Sequence, residues 1–317
     1  MALVVVTEWI DEGALERLRE HHEVVADEGL HADRPRLFEA LSQAEALVVR
    51  NQTRVDTELL DAAPRLRVIG RVGVGLDTID VAAASARDVV VSWAPGTNAT
   101  SVAEYVIGAI VALARRFGPA TRHLEGGGWE RQSFMGREIA GSTLGIVGLG
   151  DIGARVARRA RALGMHLLGT DPMVHGSTAA VQEHEVELVD LEELLTRSHA
   201  LTLHVPLVST TRDLIDARAI ERMPRGAWLV NTARGELVDD EALAAALHAG
   251  HLGGAALDVR RSEPPTGPDP LAGCPNLILT PHVAGVTAEA NARASEHAVD
   301  EVLRVLRGER ARTPAPA

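Results

Sequence analysis

The chain has 317 residues, which is more than one ordinary hydrophobic core holds, and this length predicts two domains. Its formal net charge of -12 argues against nucleic acid or an anionic membrane as a partner. All 32 basic residues are arginine, which excludes mechanisms that need a lysine nucleophile, a lysine base or a P-loop lysine.

Cysteine usage and hydropathy narrow the class further. The single cysteine, Cys274, excludes an intramolecular disulfide and a multi-cysteine zinc site, and no metal site is expected. No apolar run reaches about 18 residues, so no membrane span is expected. The opening stretch turns acidic after a few apolar residues, which is unlike a secretory signal. We therefore expect a cytoplasmic protein.

The first part of the chain alternates strands with helices. Short apolar runs predict strands over residues 3–6, 24–26, 46–49 and 68–70, and helical patterns lie between them over residues 12–20, 35–41 and 57–62. Such alternation is typical of a parallel sheet covered by helices.

The alternation resumes more strongly after residue 142. A strand is predicted over residues 143–147, and the segments HLLGTD, ALTLHVP, GAWLVNT, LGGAALDV and NLILTPH follow it at regular spacing. These six predicted strands are as many as a full doubly wound nucleotide-binding domain contains. The predicted fold class is therefore α/β, with two Rossmann-like, doubly wound parallel-sheet domains.

Two longer helical patterns lie outside these blocks. Ser101 followed by Glu104 has the spacing of a capping box and predicts a helix that begins at Ser101. The run that follows is apolar almost all round, so we expect it to be buried between domains or against another subunit. A second helix is predicted over residues 287–307, and the final RTPAPA is expected to be disordered.

A dinucleotide-binding pattern follows the strand at residues 143–147. Gly148 allows a tight turn, Gly150 lets a pyrophosphate approach the backbone, and Gly153 lets helix and strand pack closely. The helix that opens there supplies free N–H groups. Asp171 ends the next predicted strand, where a carboxylate accepts the ribose hydroxyls and repels a 2′-phosphate. The predicted cofactor is therefore NAD.

Polar residues follow three later strands. Arg234 stands after GAWLVNT, LDVRRSEPP contains Asp258 and Glu263, and His282 follows NLIL. Taken singly, such residues are often a surface cation, a turn residue and a structural histidine. Ligands in an open parallel sheet bind beyond the carboxyl ends of its strands, so together these residues point to an active site.

Longer motifs carry a family resemblance. The stretches WERQSFMGREIAGSTLGIVGLGDIGARVA, VNTARGELVDDEAL, GAALDV and LTPHVAG are similar to those of D-isomer-specific 2-hydroxyacid dehydrogenases, especially the 3-phosphoglycerate enzymes. The resemblance implies a substrate-binding domain of residues 1–97 plus 287–317, an NAD-binding domain of residues 98–286, and an active-site cleft between them. It also implies a homodimer through the helix region 101–116.

The resemblance also implies roles for the polar residues. Arg234 matches the arginine that grips the substrate carboxylate, His282 the acid/base, and Glu263 its carboxylate partner. Asp258 matches an acid near the nicotinamide. The loop with Val74 and Gly75 matches one whose backbone N–H groups bind the substrate carboxylate. Further contacts with NAD are expected from Asp151, Ile152, Val205, Pro206, Thr232, Ala233, His282, Ala284 and Gly285.

Elementary chemistry agrees with these roles. Oxidation of a hydroxyl needs a base for its proton and an acceptor for its hydride. His282 would take the proton, and a carboxylate on the other imidazole nitrogen, that of Glu263, would fix the tautomer. Arg234 would hold the substrate carboxylate in bidentate fashion.

The substrate is left open between several acids. Arg50, Arg71 and Arg131 suggest a second anionic group, because arginine suits phosphate or sulfonate oxygens. 3-Phosphoglycerate is the leading expectation. TEWIDEGALERL, VRNQTRV and HVAGVTAEAN also resemble sulfolactate dehydrogenases, which makes sulfolactate or another short 2-hydroxy acid the alternative. A role of another class, an NAD-sensing regulator similar to transcriptional corepressors, also stays open.

Arg260 and Arg261 depart from the family pattern, which often has an aromatic residue there. We expect a solvated loop. The alternative is that one of these cations acts on Glu263 or faces a dianionic substrate.

Overall fold

A computed structural model describes residues 1–176 and 178–316. The chain forms two compact units, Met1–Asn98 with Val286–Ala317, and Ala99–Gly285. The expected boundaries at residues 97 and 287 lie within one residue of these.

The first unit is built on a five-stranded parallel sheet. Its strands are β1 (Leu3–Val6), β2 (Glu23–Ala26), β3 (Ala46–Val49), β4 (Val68–Arg71) and β5 (Val90–Ser92), in the order β2-β1-β3-β4-β5. Its helices are α1 (Glu12–His21), α2 (Arg34–Leu41), α3 (Thr57–Ala62), α4 (Val81–Ser85) and α12 (Ala288–Leu306). The strand order reverses between β1 and β3, so ligands are expected at the carboxyl ends of these two strands.

Strand alternation explains how the helices cover both faces of this sheet. Val4 and Val6 lie in a core with residues of α1 and α12, whereas Val5 lies in a second core with residues of α2, α3 and α4. Successive strand residues point to opposite faces, so one apolar run serves both cores.

The second unit has a seven-stranded parallel sheet, with strand order β12-β11-β10-β9-β6-β7-β8. Its strands are β6 (Thr143–Val147), β7 (His166–Thr170), β8 (Glu187–Leu188), β9 (Ala200–Leu203), β10 (Ala227–Asn231), β11 (Leu252–Leu257) and β12 (Leu277–Leu279). Its helices are α5 (Ala99–Ala114), α6 (Phe117–Glu125), α7 (Asp151–Ala162), α8 (Ala179–His184), α9 (Leu191–Arg197), α10 (Ala217–Arg222) and α11 (Asp240–His248). The first six strands in chain order have the order 3-2-1-4-5-6 of a dinucleotide-binding sheet.

The long apolar helix α5 corrects one expectation. It begins at Ala99, so Ser101 lies inside its first turn and is not the N-cap. Glu104 pairs with Arg159 of α7 at 3.1 Å instead of closing a capping box. The buried face of α5 packs with α7 and the sheet of its own unit, which accounts for its apolar sequence. The homodimer contact through this helix stays a prediction.

The expected disorder of the final residues is wrong for the part that the structure describes. Pro314 forms an antiparallel bridge with Ser92, and the N–H of Ala315 donates to the carbonyl of Val91 at 2.7 Å. The buried carboxylate of Glu301 accepts the N–H groups of Arg312 and Thr313. Residues 313–315 therefore lie along strand β5. Across the described residues, no helix combines the length and apolarity that crossing a membrane requires.

Candidate active site

The turn after β6 has the geometry that a pyrophosphate needs. Gly148 has φ +94°, and a Cβ there would lie 2.7 Å from the carbonyl oxygen of His204. A Cβ on Gly153 would collide with the carbonyl of Gly148, whereas Gly150 faces open space. Helix α7 begins directly after Gly150, which gives its first N–H groups no side-chain cap. These N–H groups fit the phosphates of a dinucleotide.

Asp171 lies at the end of β7 next to this turn. Its carboxylate accepts the N–H of Leu149 at 2.8 Å and that of Met173 at 2.8 Å. Two backbone donors therefore hold the negative charge beside the glycine turn. A fixed carboxylate there fits the ribose hydroxyls of NAD and repels the extra phosphate of NADP.

The end of β9 adjoins the same turn, and β10 lies next to β9 in the sheet. Val205 follows β9, and its Cγ1 lies 3.0 Å from the position of a Cβ on Gly148. Burial lowers the pKa of His204 to about 3, so its imidazole is neutral at physiological pH. Its Nε2 lies 3.0 Å from the Thr202 hydroxyl. Among the described residues, His204 Nδ1, the hydroxyl of Thr232 and Nε of Arg260 are buried without a hydrogen-bond partner. Pro206 and Ala233 continue these two loops.

His282 and Glu263 form a hydrogen-bonded pair. Nδ1 of His282 lies 2.7 Å from Oε2 of Glu263, and both side chains are about half exposed, at 50% and 40%. The other oxygen of Glu263 accepts the backbone N–H of Arg260 at 2.9 Å. A carboxylate on Nδ1 favours the tautomer with its proton there, which leaves Nε2 to exchange a proton with a substrate. The structure thus brings together the two residues that the sequence nominates for acid–base chemistry.

Asp258 holds the segment that carries His282. Its side chain is buried and accepts the N–H groups of Val283 at 2.8 Å and Ala284 at 2.7 Å, together with the hydroxyl of Thr280 at 2.6 Å. The N–H of His282 donates to the carbonyl of Asp258 at 2.7 Å. His282 has φ +56°, a left-handed conformation that is uncommon for residues other than glycine. Asp258 therefore fixes the backbone at the proposed base.

Tyr105 of α5 extends this network, and sequence reasoning missed it. Its hydroxyl lies 2.6 Å from the Thr280 hydroxyl, which donates to Asp258. Burial raises the pKa of Tyr105, so its hydroxyl stays protonated. The available signal was the single tyrosine of the chain inside a mostly apolar helix, since a buried tyrosine hydroxyl usually has a partner.

Arg234 lies in a loop that is fixed from both sides. The side chain of Asn231 accepts the N–H of Ala233 at 3.0 Å and donates to the carbonyl of Arg234 at 2.8 Å. Gly235 follows, and a Cβ there would collide with the backbone of Arg260. The loops after β10 and β11 are therefore in contact, and both lie at the carboxyl edge of the same sheet.

In the first unit, Arg71 serves its own loop. Its side chain is buried, with Nε donating to the carbonyl of Gly75 at 2.8 Å and Nη1 to that of Val72 at 2.6 Å. These bonds hold the segment with Val74 and Gly75, whose residues are half-buried. Direct contact between Arg71 and a substrate stays a prediction. Its observed interactions give it the role of shaping the loop.

Glu8 organises the loop that carries Arg50, and sequence reasoning missed it as well. Its buried carboxylate accepts the backbone N–H groups of residues 50–53 at 2.8–3.1 Å. Burial alone would raise the pKa of Glu8, but hydrogen bonds from Thr53, Arg50 and Gln52 outweigh it and lower the pKa. The Arg50 guanidinium lies 5.3 Å from the Trp9 ring centre and donates to Asn291 at 2.9 Å. Glu8 and Arg50 follow β1 and β3, where the strand order reverses.

The expectation of a solvated side chain is wrong for Arg260. Its side chain is 13% exposed and binds the Asp269 carboxylate at 2.7 and 3.0 Å, so it is not solvated. Its guanidinium faces Asp269 and Asp240, whereas Glu263 accepts the backbone N–H of Arg260. Arg261 is more exposed; it donates to the carbonyl of Val238 at 3.0 Å and pairs with Asp213.

Comparison with known proteins identifies the class. The family model described as "D-isomer specific 2-hydroxyacid dehydrogenase, NAD binding domain" matches residues 107–284, and the chain belongs to this family. It is an NAD-dependent D-2-hydroxyacid dehydrogenase, an oxidoreductase.

Particular relatives differ in how much of them the chain covers. It is 48% identical to (S)-sulfolactate dehydrogenase of Chromohalobacter salexigens over 306 residues. This alignment covers 96% of this chain and 99% of that protein. It is 41% identical to D-3-phosphoglycerate dehydrogenase of Archaeoglobus fulgidus over 306 residues. This alignment covers 96% of this chain but only 57% of that protein. The crystal structure of the TT0316 protein from Thermus thermophilus matches with TM-score 0.91 and 36% identity, over 99% of this chain and 100% of that one.

Proposed function

We propose that this enzyme oxidises a three-carbon 2-hydroxy acid that carries a second anionic group, with (S)-sulfolactate as the substrate and NAD as the oxidant. The hydrogen bond between His282 and Glu263, at the same sheet edge as the glycine turn, carries the chemical part of the proposal. The near full-length similarity to a sulfolactate dehydrogenase supports the choice of acid.

In this proposal His282 is the base. Its Nε2 accepts the proton of the C2 hydroxyl, and NAD supplies the hydride acceptor. Glu263 keeps the proton on Nδ1 and balances the positive charge that the ring gains. Asp258 fixes the backbone of His282 through the bonds to residues 283 and 284. In the reverse direction the protonated His282 is the acid.

Substrate binding is assigned to arginine and backbone N–H groups. Arg234 grips the C1 carboxylate, since a guanidinium binds a carboxylate through two parallel hydrogen bonds. The backbone N–H groups of Val74 and Gly75 are proposed as further donors to the substrate. Arg50 is assigned to the second anion. Its partly buried guanidinium stacks on Trp9, which limits the side-chain freedom lost when it binds an oxyanion.

The stereochemistry of sulfolactate is consistent with a D-specific family. In sulfolactate the sulfur gives the CH2 group priority over the carboxylate, whereas in lactate the carboxylate outranks the methyl group. The (S) label of sulfolactate therefore describes the same spatial arrangement as D-lactate. One site geometry serves both acids, and they differ only in the substituent at C3.

3-Phosphoglycerate is the second candidate. The 41% identity to a D-3-phosphoglycerate dehydrogenase over 96% of this chain favours this substrate. The phosphate of 3-phosphoglycerate would also suit Arg50. The chain spans little more than half of that relative, so the likeness concerns only part of the other protein.

The test is an assay of NADH formation by the purified protein. (S)-Sulfolactate, 3-phosphoglycerate, D-malate, D-lactate and D-glycerate are compared at equal concentrations, with NAD and with NADP. We expect the highest kcat/KM with (S)-sulfolactate and NAD. A higher value with 3-phosphoglycerate would select the second candidate. If no acid is turned over although NADH binds, the proposed activity is contradicted and an NAD-sensing regulator is favoured.

A further inference from the structure

The loop that carries Glu263 is closed by an ion pair between two of its own residues. It leaves β11 after Leu257 and reaches β12 at Leu277. Arg260 binds Asp269 through two parallel hydrogen bonds, Nη2 to Oδ1 at 2.7 Å and Nη1 to Oδ2 at 3.0 Å. Glu263 lies between these two positions in the chain. The ion pair therefore closes the loop around the proposed partner of the base.

This ion pair is better shielded than others on the surface. The Arg260 side chain is 13% exposed and lies 3.6 Å from a carboxylate oxygen of Asp240, at the first residue of α11. Asp269 also accepts the N–H of Leu271 at 3.0 Å. Exposed pairs contribute little to stability, but a shielded, bidentate arginine–carboxylate pair fixes both position and orientation. Arg260 thus joins two points of the loop to a helix.

The same residue contacts Glu263 through its backbone. The Arg260 N–H donates to Oε1 of Glu263 at 2.9 Å, while Oε2 receives Nδ1 of His282 at 2.7 Å. The direction of this N–H is set by the backbone that the Arg260 side chain anchors. Glu263 is 40% exposed, so water competes for its oxygens and a fixed donor is needed to keep the carboxylate oriented.

We propose that Arg260 is the positioning residue of the acid–base pair: its clamp on Asp269 holds the loop so that Glu263 stays directed at His282. This inference rests on the proposed role of Glu263. It gives a function to a position where the sequence departs from its family, and it requires no contact between Arg260 and the substrate.

The test compares Arg260→Ala and Arg260→Lys with Arg261→Ala as the matched control. Arg261 is the neighbouring arginine of the same loop, but its side chain binds Val238 and Asp213. For each protein, kcat/KM for oxidation of (S)-sulfolactate, and of 3-phosphoglycerate in parallel, is measured against pH. NADH affinity and the melting temperature are measured as well.

Arg260→Ala is expected to lower kcat about tenfold with unchanged NADH affinity, because small displacements of a catalytic group are costly. The acidic limb of its pH profile should move to lower pH, as in Glu263→Gln, since the protonated imidazole loses its negative partner. Arg260→Lys should restore only part of the rate, because lysine lacks the planar fork. Arg261→Ala should stay within about twofold of wild type.

A double-mutant cycle separates positioning from a general loss of stability. If Arg260 acts through Glu263, then Arg260→Ala adds little to the loss already caused by Glu263→Gln. Equal fold-losses in both backgrounds would overturn the proposal. So would an unchanged pH profile in Arg260→Ala.

Asp269→Asn covers the case in which Arg260→Ala does not fold. It weakens the clamp from the other end and leaves Arg260 in place, so we expect the same shift of the profile with a smaller loss of kcat. A folded Asp269→Asn protein with wild-type rate and profile would overturn the proposal. If Glu263→Gln itself changes neither rate nor profile, the role of Glu263 is wrong and the Arg260 proposal falls with it.

Discussion

The loops around His282 and those around Arg50 and Arg71 use charged side chains in different ways. In the NAD-binding unit, His282 and Glu263 bind each other and remain half exposed, so the ring can still exchange a proton. In the other unit, the buried side chain of Glu8 binds backbone N–H groups of the loop after β3, and that of Arg71 binds backbone carbonyls of its own loop. A charged residue near a strand end can therefore take part in the reaction or stabilise a loop. Its burial and its hydrogen-bond partners distinguish the two roles.

The largest expected effect is at His282. His282→Ala removes the proposed base, and general acid–base catalysis contributes about 10²–10⁴-fold, so kcat should fall by about a thousandfold. NADH affinity, measured by fluorescence titration, should stay within about threefold of wild type. A variant that retains full activity would remove His282 from the reaction.

Glu263→Gln is expected to have a smaller effect. The amide keeps a hydrogen-bond acceptor for Nδ1 but loses the negative charge, so kcat should fall about 10–100-fold. Protonated His282 is then less stabilised, and the midpoint of the acidic limb of kcat/KM for oxidation should move to lower pH. An unmoved midpoint in steady-state assays would show that the charge of Glu263 does not act on the ring.

Glu8→Gln tests whether the Glu8 carboxylate stabilises the loop of residues 50–53 in the first unit. The lowered pKa of Glu8 means that its contribution to stability is present above its ordinary value of 4.5 and is lost as the pH falls through the lower folded value. The variant should lose about 1–3 kcal/mol at pH 7, since several buried N–H groups lose a charged acceptor. The loss measured by urea unfolding should shrink below pH 4.5. A loss that is independent of pH would contradict this account.

Much of the fold follows from local patterns. Strands β1, β3 and β6 coincide with apolar runs of four or five residues, and the glycine turn, Asp171, Glu263 and His282 stand in motifs that can be read directly. Strand β5 and helix α4 were not predicted, and α4, over Val81–Ser85, is too short to show a helical apolar period. Local sequence is weakest where an element is this short.

The supporting residues of the site depend on contacts between distant parts of the chain. Glu8 meets the loop at residues 50–53, and Tyr105 meets Thr280, neither of which a local pattern could reveal. The final residues have the composition of a disordered tail, but the edge of β5 and the buried carboxylate of Glu301 provide partners for their N–H groups. In each case tertiary contacts override composition.

The smallest expected effect is at Tyr105. Tyr105→Phe removes the hydroxyl that meets Thr280 but keeps the ring, so kcat should fall no more than about threefold and the melting temperature by a few degrees. Thr280 would keep its bond to Asp258. A loss as large as that of Glu263→Gln would give Tyr105 a direct part in the chemistry.

The division between chemistry and recognition is tested most directly by one ratio. The kcat/KM for (S)-sulfolactate is divided by that for D-lactate, in wild type and in Arg50→Met, at saturating NAD. A charge-assisted hydrogen bond contributes about 1.5–3 kcal/mol, so the ratio should be large in wild type and fall at least about tenfold in the variant, while the D-lactate value stays nearly constant. A wild-type ratio near one, or equal losses for both acids in Arg50→Met, would contradict the account.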